Sequence, residues 1–502
     1  MKTEQIPPIF RIKTIYYIIP FLYIGILSLM EFNIGFNDLG TCLKIGEVMI
    51  EKGAIVSQDI FTHTFDGLKY INSGWLSQVL MALCEKAGGL NSLLLLRTIL
   101  LFLYVGILYH LINNQTKKNY KITFIFMLFA FITGIYIWQI RPQLFAIPLF
   151  VFFYSQILQK KEIRNSSILL LSLLMILWVN LHSSFPLGIM LSGIFLLGDA
   201  GEKYYRKRDI KKLIRDPYLK RLILLLIILT SVTLINPYGI NIWKDVWGNS
   251  SVSVTRSSEW LPTSMNNFSG YSLIVSVVLA GIILKYSKRK ITFTEALLLL
   301  SFLFAGFKAV RMILWWGIVS APILATHFCS IEVVQKKISR QKNGVSPESE
   351  CLPLNILFLI FIVLVFVSLL PWLRPYHPIK SMRVFLKSQI EPEAITYYIK
   401  KQDLKGNMFN NIHWGSYIVW KLWPEHKIFA DNRLHIIPEK IWKDYTDVHF
   451  GLANWPNILD RYKISFVVLS KEDNKRTIEF IRAHPAWKKV YEDKMGAIFV
   501  RK

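Results

Sequence analysis

Long apolar blocks separated by short polar turns occupy the first three quarters of the chain. A block of about 17–25 apolar residues crosses the ~30 Å hydrocarbon layer as a helix. Helices are favoured there because lipid cannot satisfy free backbone groups. The pattern predicts eleven such helices, near 14–31, 91–112, 122–140, 143–159, 165–181, 184–200, 221–236, 270–286, 291–308, 312–331 and 353–373. Segment 75–89 (WLSQVLMALCEKAGG) is shorter and amphipathic, and it carries Gln78, Glu85 and Lys86. It is expected to lie at, or dip into, the outer interface.

Beyond residue 373 the pattern becomes polar and mixed. Short apolar runs at 427–431 and 465–470 predict strands, and 391–402, 414–423, 438–450 and 474–484 predict helices. Alternation of the two predicts a small α/β domain. The expected organisation is therefore a transmembrane part, 1–373, with an external loop 31–74 and the interfacial helix 75–89, followed by an extracytoplasmic α/β domain, 374–502. Segment 341–350 (QKNGVSPESE) reads as a linker.

Charge sorts the loops. Lys2, Arg11 and Lys13 precede the first block, Lys117, Lys118 and Lys121 follow the second, and Lys160, Lys161 and Arg164 follow the fourth. The linker 203–221, then Lys285, Lys288, Arg289 and Lys290, then Lys336, Lys337, Arg340 and Lys342 complete the basic set. All fall on one side if 75–89 does not cross, which predicts a cytoplasmic N-terminus and an external C-terminal domain in a cytoplasmic (inner) membrane. Glu31, Phe32 and Asn33 replace a small-residue cleavage site after the first block, so that block is expected to remain as an anchor.

Composition agrees. The 502 residues are 53% hydrophobic and 14% aromatic, beyond a soluble chain of this length. The formal charge of +26 is accounted for by the cytoplasmic loops facing anionic lipid, so nucleic-acid binding is not required. Cys42, Cys84, Cys329 and Cys351 form no close-spaced pair and read as free thiols.

Against this basic background the external loop is acidic, with Glu31, Asp38, Glu47, Glu51, Asp59 and Asp66 set against Lys44, Lys52 and Lys69. Leu39, Cys42, Leu43, Val48, Met49 and Ile50 recur at helical spacing, which puts Asp38 at the N-terminal end of an amphipathic helix along the membrane surface. The helix dipole favours a carboxylate there. Asp38 reads both as a cap and as a general base, and the two are compatible. Asp59 reads as a second acid or as a turn residue. Glu47 and Glu51 lie one turn apart on a solvated face, and Asp66 reads as a turn.

Cationic and polar residues stand at the outer ends of later blocks: Arg141 in QIRPQ, His182 in NLHSS, and Lys308 and Arg311 in FKAVR. Such groups near membrane depth are costly and mark substrate paths. Converging, they would hold a phosphate or pyrophosphate by charge-assisted hydrogen bonds; separately, they snorkel to head groups. Glu259, in SEWLP, is an external carboxylate beside a Trp that reads either as a sugar platform or as an interfacial anchor. In the C-terminal part, Asn410–Tyr417 reads as strand, turn and helix start, and Asp431-Asn432-Arg433 follows an expected strand. P-loop, GxSxG, HExxH and CxxC patterns are lacking.

The order of these pieces resembles bacterial multi-pass proteins of GT-C type glycosyltransferase architecture, including the dolichyl-phosphomannose-protein mannosyltransferase-like group. It runs Asp38, Gly53, Asp59, Phe61, Gly67, Trp75-Leu76, then Arg141-Pro142-Gln143, Asn180-Leu181-His182, Asn236-Pro237-Tyr238-Gly239 and Glu259-Trp260. Trp414-Gly415-Ser416-Tyr417 and Asp431-Asn432-Arg433 extend it to the C-terminal domain.

The resemblance implies transfer, with inversion, of a sugar from a polyprenyl-phosphate carrier to a lipid, glycan or protein acceptor on the extracytoplasmic side. It implies an acid in the first external loop that activates the acceptor, which by position is Asp38. Such families often carry an acidic pair there, whereas Asp38 is followed by Leu39 and Gly40. Some members bind a divalent metal near the loop; Asp38 with Asp59 or His63 could supply ligands, but one or two scattered oxygens make a poor site.

Two other classes remain open. A transporter of lipid-linked glycans requires ionisable groups at mid-span, for which Arg97 and Glu295, expected near the membrane margins, are the candidates. A scaffold of envelope glycan assembly would tolerate single loss of Asp38, Arg141 or Arg311.

Overall fold

The computed structural model describes residues 12–30, 36–134, 139–159, 163–342, 352–373, 376 and 392–502. Lys2, Arg11, Glu31, Phe32, Asn33, Lys160, Lys161, Cys351 and most of the linker 341–350 lie outside them.

Each of the eleven apolar blocks holds a helix. In chain order the helices that precede the C-terminal part are α1 (Ile12–Met30), α2 (Phe36–Lys52), α3 (Trp75–Gln115), α4 (Tyr120–Gly134), α5 (Gln143–Gln159), α6 (Asn165–Leu181) and α7 (Pro186–Lys207). They continue as α8 (Ile210–Ile214), α9 (Pro217–Val232), α10 (Ile242–Arg256), α11 (Phe268–Tyr286), α12 (Phe293–Lys308), α13 (Ile313–Phe328), α14 (Glu332–Lys342) and α15 (Leu352–Ser368). Trp75–Gln115, Phe268–Tyr286 and the stretch Val310–Phe328 are long and apolar enough to cross a membrane. Lipid-facing surface is evident on α11 and α15, where Val275, Leu357, Phe361 and Leu364 are more than half exposed.

Segment 75–89 is a helix of its own: the helical backbone breaks at Gly88 and Gly89, where α3 changes direction before it continues as the second block. Gly89 has φ 64°, a left-handed conformation that a side chain disfavours, so the bend is set where Gly stands.

The loops expected on opposite faces gather at opposite ends of the bundle. At one end Lys203 pairs with Asp216, Lys288 with Glu332, and Arg289 with Glu295, which also closes a capping box with Thr292. At the other end lie the junctions between α4 and α5, α6 and α7, and α12 and α13. Arg97 is fully buried and donates to the Ser28 carbonyl, tying α3 to α1.

The C-terminal part comprises α16 (Glu393–Lys401), β1 (Asn407–Asn410), α17 (Ile412–Leu422), α18 (Glu439–His449), α19 (Trp455–Arg461), β2 (Ile464–Ser470), α20 (Lys475–Ala483), β3 (Trp487–Glu492) and β4 (Gly496–Arg501). The sheet order is β1-β2-β4-β3, with β1 and β2 parallel and the remaining pairs antiparallel. Segment 427–431, expected as a strand, does not join this sheet. The side-chain amide of Asn410 takes the ladder's place, accepting from Phe429 N–H at 2.9 Å and donating to Ala430 C=O at 2.9 Å. Ile428 instead forms an isolated parallel bridge with Thr62 of the external loop.

That bridge belongs to a larger union. Ile45, Val48, Val56 and Phe61 of the loop share one apolar core with Met408, Trp414, Ile418, Phe466 and Ile498 of the C-terminal part. The loop is thus packed into the α/β unit, and α2 lies between α3 and α17. Gly40 makes the closest approach: a Cβ there would stand 2.3 Å from the Ser416 carbonyl oxygen. The exposed face of α2 carries Glu47 and Glu51, with Glu47 on Lys44 at 2.6 Å.

Candidate functional site

The site begins with the first turn of α2, which presents Asp38. The short junction between α4 and α5 brings Arg141 beside it, with 3.9 Å between Arg141 Nη1 and Asp38 Oδ2. The same Nη1 donates to both carboxylate oxygens of Glu259, at 2.8 and 3.0 Å, from a 3-10 turn (Ser258–Trp260) after α10. Arg141 therefore stands between two carboxylates, and its buried Nε has no hydrogen-bond partner among the described residues.

Arg311 enters from the α12–α13 junction. Its guanidinium stacks on Trp260 at 4.6 Å from the ring centroid and donates to Gln143 Oε1 at 2.9 Å. Trp260 is thus a platform for a cation. His182 caps the C-terminal end of α6 and feels the positive charge of Arg311 and Arg141. Burial and these two cations push its pKa down to about 3, so the ring is neutral at physiological pH.

Asp38 moves the other way. Desolvation in the recess raises its pKa to about 6, opposed by Arg141 and reinforced by Glu259 and Asp431. About 40% of its side-chain surface stays open. The carboxylate therefore lines a recess and remains reachable. A carboxylate shifted toward neutrality is a better proton acceptor than an ordinary aspartate while still mostly ionised at pH 7.

Five of the seven residues singled out in the sequence, Asp38, Arg141, His182, Glu259 and Arg311, come together. Two do not join them. Lys308 is exposed and lies over Phe304, 5.6 Å from the ring centroid. Asp59 is fully buried with both oxygens engaged: Oδ2 accepts from Thr62 N–H at 3.0 Å and Thr62 Oγ at 2.7 Å, and Oδ1 accepts from Arg433 Nη2 at 2.5 Å.

Arg433 also donates through Nε to Asp431, at 3.0 and 2.9 Å. Asp431 accepts from Thr41 Oγ at 3.2 Å, and Thr41 N–H donates to Ser416 Oγ at 2.8 Å. Thr41 lies one helical turn after Asp38, so the C-terminal part grips the turn that carries the candidate base. Thr41, Ser416 and Gln143 were not visible as site residues in the sequence. Asp431 and Arg433 are legible in the sequence as polar residues after an expected strand and as part of the resemblance, but their pairing with Thr41 and Asp59 is not, because those partners lie 390 and 374 positions away.

These residues do not fit a divalent metal. No group of three His, Cys, Asp or Glu side chains able to hold one occurs among the described residues. Asp59 is taken by Arg433, and His63 Nε2 is taken by the Met408 carbonyl at 2.9 Å.

A cleft of about 560 Å³ opens next to the recess, lined by Trp75, Leu76, Leu173, Leu177, Asn180 and Ile235 among others. Gly74, the neighbour of Trp75, lies against Pro142. Trp75 Nε1 donates to Asn180 Oδ1 at 2.9 Å, and Asn180 donates to the Ile235 carbonyl at 3.0 Å. The cleft is mainly apolar, with its polar atoms already paired.

No protein-family model matches the sequence, and no curated protein matches it. Solved structures do. The chain is similar to the apo oligosaccharyltransferase of Archaeoglobus fulgidus, with a TM-score of 0.53 at 12% identity over 91% of this chain and 70% of that one. It is also similar to ArnT from Cupriavidus metallidurans bound to undecaprenyl phosphate, with a TM-score of 0.52 at 11% identity over 96% of this chain and 97% of that one. At such identities the likeness shows the fold: this chain is a multi-pass helical membrane protein of GT-C-like architecture with a small C-terminal sheet.

Proposed function

We propose that this protein transfers a sugar from a polyprenyl-phosphate-linked donor to an acceptor on the extracytoplasmic side of the membrane. The observation that carries the reading is the convergence of one reachable carboxylate, Asp38, with two arginines, Arg141 and Arg311, at the end of the bundle that loop charge assigns to the outside. The fold shared with ArnT, a protein seen with undecaprenyl phosphate, supports the donor class. The apolar cleft at Trp75 and Leu76 supports a path for the carrier tail.

Residues 1–373 then form the membrane part and 374–502 an extracytoplasmic domain, with the N-terminus cytoplasmic. Asp38 accepts the proton of an acceptor hydroxyl as its oxygen attacks the anomeric carbon from the face opposite the phosphate. The bond between the anomeric carbon and the phosphate oxygen breaks, and that oxygen leaves with the electron pair. Arg141, through its unengaged Nε–H, and Arg311 stabilise the charge that develops there. The leaving phosphate needs no strong acid, so one carboxylate suffices for proton transfer. Glu259 holds Arg141 in place, and Asp59 acts at a distance, by fixing Arg433.

The test is sugar transfer from a labelled polyprenyl-phosphate sugar by the purified Asp38→Asn variant. Loss of a positioned base lowers the rate by about 10²- to 10⁴-fold. Full activity in that variant removes Asp38 as the base.

A further inference from the structure

The hydrogen bonds around His182 decide which of its ring nitrogens carries the proton. Nδ1 lies 3.1 Å from the backbone N–H of Ser184 and 2.8 Å from Ser184 Oγ. A backbone N–H only donates, so Nδ1 must offer its lone pair and carries no hydrogen. Ser184 Oγ in turn accepts from Trp178 Nε1–H at 3.2 Å, which leaves its own hydroxyl proton to point at Nδ1. Trp178 is fully buried and held edge-on to Phe153 at 5.4 Å between ring centroids. The relay Trp178–Ser184–His182 is therefore anchored in the core of the bundle and ends at Nδ1.

A neutral ring with Nδ1 unprotonated has its hydrogen on Nε2. That atom has no protein partner among the described residues. The charged groups facing the ring, Arg311 from the α12–α13 junction and Arg141 from the α4–α5 junction, are both cations and oppose a second proton.

We propose that His182 is a fixed Nε2–H donor to the phosphate of the donor substrate, with Ser184 and Trp178 as the positioning residues that lock this tautomer. The proposal rests on the transferase reading above and adds the role of the imidazole within it. A neutral donor gives the phosphate a directed hydrogen bond beside two arginines without adding a third positive charge to the recess. It also removes His182 from the set of bases, because its free lone pair is occupied.

The experiment pairs two substitutions of similar size. In His182→Gln the amide nitrogen reaches the position of Nε2; in His182→Asn it stops near that of Nδ1. H182Q is expected to hold KM for the polyprenyl-phosphate sugar, and binding of a polyprenyl phosphate alone, within about threefold of the parent. H182N is expected to weaken both by about 10- to 100-fold, the loss of one hydrogen bond to a charged group. Ser184→Ala raises KM with little change in kcat, and Ser184→Thr restores it.

Nitrogen-15 spectra of histidine-labelled protein read the tautomer without any turnover. A proton-coupled Nε2, an unprotonated Nδ1 and no titration between about pH 5 and 8 support the lock; S184A keeps the backbone N–H donor and is expected to retain this tautomer while the ring loses its Oγ anchor. A protonated Nδ1, a ring that titrates in that range, or H182Q as damaged as H182N overturns it. A parent protein that neither transfers sugar nor binds polyprenyl phosphate overturns the phosphate assignment along with the transferase reading, while the spectra still decide the tautomer.

Discussion

Replacing Arg433 by Met tests whether the C-terminal part holds the candidate base in place. The side chain is similar in length but loses every donor. In the parent protein the guanidinium makes three hydrogen bonds of 2.5–3.0 Å to Asp59 and Asp431, two carboxylates with no exposed surface. Its aliphatic and planar surface also packs over Phe61, 5.2 Å from the ring centroid. Removing one partner of a buried ion pair costs about 3–5 kcal/mol, because the remaining charge cannot return to water. Met retains the packing, so the cost should stay within that range. Against a total stability of about 5–15 kcal/mol this is enough to open the union of loop and sheet locally without unfolding the bundle.

Hydrogen–deuterium exchange in detergent reads this directly. Amides of 57–70 and 427–433 are expected to exchange roughly 10²- to 10⁴-fold faster in R433M, while those of α13 stay unchanged. The double variant R433M/D59N is expected to lose less than the sum of the single losses, by about 1–3 kcal/mol, because one of the stranded anions is gone. Transfer activity falls with exchange, since Thr41, which donates to Asp431, lies one turn from Asp38. Unchanged protection in R433M, or strictly additive singles, refutes the argument that this triad is the clasp.

Other outcomes follow from the same geometry. The pKa of Asp38, raised to about 6 mainly by desolvation, makes kcat/KM rise tenfold per pH unit below about 6 and level off above it, since only the ionised form accepts a proton. Glu259→Gln removes a negative neighbour that raises that pKa, so the rising limb of the pH–rate profile shifts to lower pH. Arg141→Lys replaces a guanidinium that reaches two carboxylates by a point charge, and KM for the donor should increase by about 10- to 100-fold in a steady-state assay. Gly40→Ala places a methyl 2.3 Å from a backbone oxygen, so α2 must shift; a cost of about 1–3 kcal/mol is expected in the exchange of α2 and α17.

The helices and the candidate cluster were legible in the sequence to different degrees and for different reasons. Apolar blocks report helices because lipid and the bundle core both exclude polar residues over long runs. Arg141, His182 and Arg311 stand out because each breaks such a run at its outer end, where a polar group needs a reason, and Glu259 stands out as an external carboxylate beside a Trp. Asp59 did not announce its fate: a buried aspartate and a turn aspartate look alike until the partner is known, and Arg433 is far along the chain. Segment 427–431 has the composition of a strand but meets a side-chain amide and a loop where a sheet neighbour was expected. Strand β3 is not legible because its charged outer face, as in Trp487–Glu492, dilutes the alternation that marks a strand; β4, Gly496–Arg501, is an inner strand with a short, mostly buried apolar run and so shows no alternation.

The clasp between Asp59 and Arg433 also sets a schedule for biogenesis. Its two halves are separated by 374 residues, and at about 5–20 residues per second the ribosome needs roughly 20–75 s to supply the second half. Through that interval Phe61, Phe65 and Asp59 have emerged but the sheet that buries them has not been made. The newborn loop must wait as an open apolar surface, a stage at which a chaperone on its side of the membrane would find its binding site and a truncated chain would remain trapped.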